Sequence, residues 1–129
     1  MEAFEDIVKD HSQRIYYFLR GMGLEHNVAD EVLEDVFVSY WRDLKSGHGL
    51  DAVALRLFQH ATKKILAEIS RSEPELLFRT EFRSKLVLLL KHHGFDSPDI
   101  AELTGMGIDQ VRESYRVSWR PGTEKEDPV

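Results

Sequence analysis

Apolar positions along the chain recur at steps of three and four, and no segment alternates strictly between apolar and polar. That periodicity predicts helices throughout and no sheet, an all-α fold of about six helices. From about Ala3 to Arg20 the inward stripe is Phe4, Ile7, Val8, Ile15, Phe18 and Leu19, and the Gly21-Met22-Gly23 break ends the helix. The second helix is expected to start at Asn27 as N-cap. Asp30 and Glu31 lie towards the positive end of its dipole, and Val28, Val32, Leu33, Val36, Phe37, Tyr40 and Trp41 form the stripe until the "KSGHG" loop. A third helix, about Leu50 to Arg71, buries Leu55, Phe58, Ile65 and Ile69 and turns His60, Lys63, Lys64 and Arg71 to other faces. Pro74 closes it and opens a fourth that runs to about His92, where Gly94 turns the chain. Ser97 then reads as an N-cap with Pro98 at the first helical position, Gly105 as a turn, and Ile108 as the start of the last helix. The ending "PGTEKEDPV", 121–129, has the composition of a disordered tail.

The last two helices, "SPDIAELTGMGIDQVRESYRVSW" at 97–119, have the outline of a helix-turn-helix, but their charge is unusual for a DNA reader. From Asp96 to Arg120 there are three basic side chains against five acidic ones, a net of −2 where phosphate contact needs the opposite sign. The whole chain carries −6, split evenly into −3 up to Arg71 and −3 beyond it, so neither half is a basic arm. Bases gathered on one face can still make a positive patch on an acidic protein.

A chain of 129 residues suffices for one compact domain or two very small ones, not for a large enzyme. The longest apolar run, "LVLLL" at 86–90, is far below a membrane span, and no membrane association is expected. The N-terminus "MEAFEDIVKD" is acidic where a secretory signal is basic and then apolar, and the absence of cysteine fits a cytoplasmic protein and rules out thiolate chemistry and sulfur-bound zinc.

No nucleophile-base pairing, glycine-rich phosphate loop or carboxylate-histidine motif is present, so the chain does not read as an enzyme and implies no cofactor. Asp30, Glu31, Glu34 and Asp35 suit a basic partner surface or, equally, a solvated helix start. No His lies at ligand spacing from them, and a metal is not expected. His92 and His93 are adjacent on a helix, point about 100° apart and favour a contact with the helix dipole over a shared ion. Phe37, Tyr40, Trp41 and Phe58 have the spacing of core residues, with stacking on single-stranded bases as the alternative.

Two segments together resemble the extracytoplasmic-function sigma factors, which bind bacterial RNA polymerase and direct it to promoters. "VADEVLEDVFVSYW" (28–41) is similar in register to that family's clamp-docking helix, roughly D-A-E-D-L-V-Q-E-V-F-L-R-L-W, with Ala29, Asp30, Glu31, Phe37 and Trp41 where the pattern has them. "LFQHATKKILAEISR" (57–71) lies along W-L-Y-R-I-A-R-N-L-A-I-D-L-L-R, whose exposed face engages the melted promoter element. "DIAELTGMGIDQVRESYRVS" resembles E-I-A-x-x-L-G-I-S-x-G-T-V-K-S-R-L-x-R-A of the upstream-element reader. The resemblance covers most of the chain. It implies a three-helix region-2-like domain over 1–73 and a region-4-like helix-turn-helix domain over 74–120. It also implies polymerase contact through Asp30, Glu31, Glu34, Asp35 and Trp41, and DNA contact through Lys63, Lys64, Arg71, Gln110, Arg112, Glu113 and Arg116. The partners implied are the RNA polymerase core, promoter DNA and an anti-sigma factor.

The chain departs from the pattern in places that bear on function. Lys64, Glu68 and Leu57 stand where the family has Asn, Asp and its opening Trp, and Gln110, Glu113, Ser114 and Val117 replace Thr, Ser and two Arg, leaving Arg112 and Arg116 one turn apart. A carboxylate beside them is repelled by phosphates unless it accepts from a cytosine amino group. Only Ser72 and Glu73 separate the two matched regions; three peptide steps reach at most about 11 Å, whereas promoter elements two DNA turns apart are about 70 Å distant. Two functions follow as expectations: a small sigma-like regulator that binds polymerase and promoter DNA, or a sigma mimic that acts by protein competition without reading a promoter.

Overall fold

A computed structural model describes residues 4–47 and 52–118, and these hold six α-helices and no strand. They are α1 (Phe4–Gly21), α2 (His26–Lys45), α3 (Val53–Ser72), α4 (Thr80–His92), α5 (Ser97–Thr104) and α6 (Ile108–Ser118), with a 3-10 turn at Pro74–Phe78. The chain divides into two compact units, Met1–Glu68 and Ile69–Val129. The expected starts of the first and third helices at Ala3 and Leu50, the distal part of the "KSGHG" loop, Arg120 and the 121–129 tail lie outside the described residues.

In the first unit α1 and α2 pack against each other across a tight reversal. The reversal is made by Gly23, whose φ of +96° is open to glycine and strained for other residues; the Leu24 N–H reaches the Leu19 carbonyl at 3.3 Å and the Leu24 side chain is buried. Ile7, Ile15, Phe18 and Leu19 from α1 meet Ala29, Val32, Val36, Phe37 and Tyr40 from α2 and Leu57, Phe58, Ala61 and Ile65 from α3. The Phe18 and Phe58 rings lie 5.2 Å apart, and the Arg14 guanidinium covers Phe58 at 5.2 Å from its centroid. A partly buried contact ties α2 to α3, His60 Nε2 being 2.6 Å from Asp43 Oδ2. Thr62 is also buried, and its hydroxyl has no protein partner.

The second unit is built on α4, α5 and α6, which pack on one another through Phe82, Leu86, Val87, Leu90, Phe95, Ile100, Leu103 and Val111. Lys91 of α4 fastens the other two, its ammonium donating to Ser97 Oγ at 3.1 Å and sitting 4.9 Å over the Tyr115 ring.

Three expected boundaries are corrected. The cap of α2 is Glu25, not Asn27; the helix starts at His26, makes no side-chain cap, and has no acid in its first turn, so Asp30 and Glu31 stand beyond it. The fourth helix does not begin at Pro74: a 3-10 turn precedes it and extended backbone at Arg79 (φ −86°, ψ 135°) separates the two. The cap of α5 is Asp96, whose Oδ1 accepts from the Asp99 N–H at 3.0 Å, while Ser97 is taken by Lys91. Leu55, assigned to the core of α3, is only half-buried.

Candidate functional site

The first unit carries an open groove of about 780 Å³ between α1 and α2. Phe4, Val8 and Ser12 line one wall, four residues apart on α1, and Leu33, Phe37, Val38 and Trp41 line the other on α2. Antiparallel packing brings Phe4 to Trp41, with ring centroids 5.0 Å apart and an interplanar angle of 61°, and to Phe37 at 6.4 Å and 82°. The Ser12 hydroxyl donates to the Val8 carbonyl of its own helix, which leaves that wall apolar. Val38 and Trp41 are 42% and 43% exposed, large values for a valine and a tryptophan in the middle of a helix.

Carboxylates gather at one end. Asp30, Glu31 and Glu34 line the groove and are exposed, all within about one turn of α2. At the other end Lys45 places its ammonium 5.7 Å over the Trp41 ring. Asp30 is further held at 3.3 Å from His26 Nε2, and His26 Nδ1 lies 2.6 Å from the Tyr16 hydroxyl, which accepts from Arg20 at 3.0 Å. The groove is therefore apolar with carboxylates as its charged lining, a surface suited to a basic, amphipathic polypeptide.

Of the residues expected to touch a protein partner, Asp30, Glu31, Glu34 and Trp41 come together here, and Asp35 is exposed but does not line the groove. Phe4 and Val8, assigned to the core from the sequence, are only half-buried and form the groove wall instead. The signal was present in α1, where Phe4 and Val8 make an apolar row beside the fully buried Ile7, Ile15 and Phe18. Tyr40 and Phe58 are fully buried and unavailable to bases, Phe37 is largely buried at the edge of the groove, and Trp41 is exposed.

The helix-turn-helix of the second unit has the expected turn, Gly105 capping α5 at φ +77° with its N–H bonded to the Ala101 carbonyl at 2.9 Å. Gln110, Arg112, Glu113 and Arg116 are exposed on α6. Arg116 Nη2 reaches Glu113 Oε1 and Oε2 at 2.7 and 2.8 Å, and that carboxylate raises the guanidinium further above its ordinary range. Arg112 lies 4.0 Å from Asp109. Both described arginines of α6 thus have a carboxylate at the preceding turn. On α3, Lys63 and Arg71 are exposed and Lys64 half-buried.

The His92 and His93 rings stand edge to face, 5.4 Å between centroids. Among the described residues no group of three or more His, Cys, Asp or Glu side chains is placed to hold a metal ion, and no helix is long and apolar enough to cross a membrane. No family model, no curated protein and no solved structure matches the chain.

Proposed function

We propose that the protein is a small, cytoplasmic, non-enzymatic sigma-like regulator that docks on the bacterial RNA polymerase core through the α1–α2 groove of its first unit. The observation that carries this reading is the meeting of Asp30, Glu31, Glu34 and Trp41, the residues of the resemblance to the clamp-docking helix, around one open apolar groove. An exposed tryptophan beside unfilled apolar surface is a poor choice for a solvated face and a good one for an interface, and the acids beside it give that interface its charge. Promoter contact belongs to α6 and is weak, because its arginines meet phosphate only after leaving Glu113 and Asp109. That same pairing favours the second reading, in which the protein competes for polymerase or an anti-sigma factor without reading DNA.

Purified bacterial core polymerase distinguishes these outcomes. Joint reversal of Asp30, Glu31 and Glu34 to Lys lowers core binding by roughly tenfold or more, the equivalent of about 1.4 kcal/mol, while the helical circular dichroism spectrum stays unchanged, since the three are exposed. Core binding undiminished in the folded triple variant removes this face from the account. Transcription from promoter templates then separates the two readings: stimulation identifies the regulator that reads DNA, inhibition the competitor.

A further inference from the structure

Within the first unit, α2 presents to the groove one exposed row whose chemistry changes along its length. Glu34, Val38 and Trp41 stand at i, i+4 and i+7 on one face of the helix, and all three are exposed. The row runs from carboxylate through aliphatic to aromatic surface. Leu33 and Phe37 lie beside it, and Phe4 and Val8 form the opposite wall from α1. Glu31 adds a second carboxylate at the acidic end. Asp30 is engaged by His26 at 3.3 Å, whereas no described residue pairs with Glu31 or Glu34. Carboxylates so placed, at the edge of unfilled apolar surface, match an occupant that brings both a cation and an apolar body.

The dimensions narrow the class. A groove of about 780 Å³, apolar but for a few charged groups, has the size and lining of a small-molecule site. Glu34 and Trp41 are seven residues apart, about 10 Å along the helix axis. The Lys45 ammonium, 5.7 Å over the Trp41 ring, already holds a cation position on that ring, so the apolar end of an occupant belongs there and not its charge. We infer that the α1–α2 groove binds a lipophilic primary ammonium ion, its head on Glu31 and Glu34 and its hydrocarbon tail laid over Val38 and Phe37 towards Trp41 and Phe4. The ammonium head supplies the donors that two carboxylates accept, and a decyl chain covers the distance. The site rests on the chemistry of the groove itself and not on polymerase docking. Where both hold, amine and polymerase compete for one surface.

Isothermal titration calorimetry of the full chain with decylammonium chloride, kept below its micelle concentration, tests the site, with decanoate as the anionic probe of the same chain length. The wild type binds one decylammonium, roughly tenfold or more tightly than decanoate, and added salt narrows the gap, as screening of exposed charges requires. Joint Glu31→Gln and Glu34→Gln bring the two probes to within about threefold of each other. Trp41→Ala weakens both probes alike, at an exposed position whose exchange leaves the helical circular dichroism spectrum intact. No saturable one-to-one binding of decylammonium by about 1 mM overturns the proposal. Equal affinity for the two probes shows apolar surface without charge selection and overturns it too, as does a preference for decylammonium that survives the double glutamine variant. Binding of the wild type to core polymerase, measured without amine, stands or falls separately.

Discussion

One nitrogen of Arg116, Nη2, lies within 2.8 Å of both carboxylate oxygens of Glu113, so the most basic face of the helix-turn-helix neutralises itself before any phosphate arrives. The full chain should bind duplex DNA weakly, with a salt slope no steeper than about −3 at roughly −0.9 per phosphate neutralised. Glu113→Lys frees Arg116 and adds a cation, and should tighten binding at low salt; Arg112→Ala should remove most of what binding there is. Fluorescence anisotropy over a salt series measures both. Nanomolar binding by the wild type at physiological salt would sink this account of α6.

His60 and Asp43 join α3 to α2 at 2.6 Å in a partly buried setting. Replacing Asp43 with Ala leaves the imidazole without its partner and should cost about 1–2 kcal/mol, the range for a hydrogen bond to a charged group with some access to water. Urea unfolding reads this directly. A loss below a few tenths of a kcal/mol would mean that solvent already screens the pair.

Gly105 holds φ at +77° with no atom within 4 Å of where a Cβ would stand. Gly105→Ala therefore meets no clash, and its cost of about 1 kcal/mol is backbone strain alone. Gly105→Asn should cost less, since Asn tolerates the left-handed region better. Equal losses for Ala and Asn would point to something other than φ.

The Asp99 carboxyl is raised above its ordinary range, first by desolvation and then by the neighbouring Asp96 charge. A raised carboxyl favours its neutral form in the folded state. Its contribution is present below the ordinary pKa of 3.8 and is lost as pH rises through the raised value. Asp99→Asn should therefore stabilise the protein slightly at neutral pH, a gain that solvent screening keeps small, and the gain should vanish near pH 3. Thermal melts at the two pH values check it; a gain that persists in acid would refute the charge explanation.

The three-to-four periodicity by itself determined the all-α class, the number of helices and the start of α6 at Ile108, because a helix face must match its apolar spacing to 3.6 residues per turn whatever it packs against. The glycine turn at Gly105 was equally legible, since a positive φ leaves few alternatives. Caps were not. Asp96 and Ser97 are both good cap residues, and what separates them is Lys91, six residues back, whose ammonium claims the Ser97 hydroxyl. The groove was least legible of all. Phe4, Val8 and Trp41 read as core because each sits on an apolar stripe, and only the antiparallel pairing of α1 with α2 decides that the two stripes are wider than the contact they share. Sequence spacing fixes which residues lie on one face of a helix; how much of that face a neighbouring helix covers depends on where the two axes come together, which is a property of the packed chain.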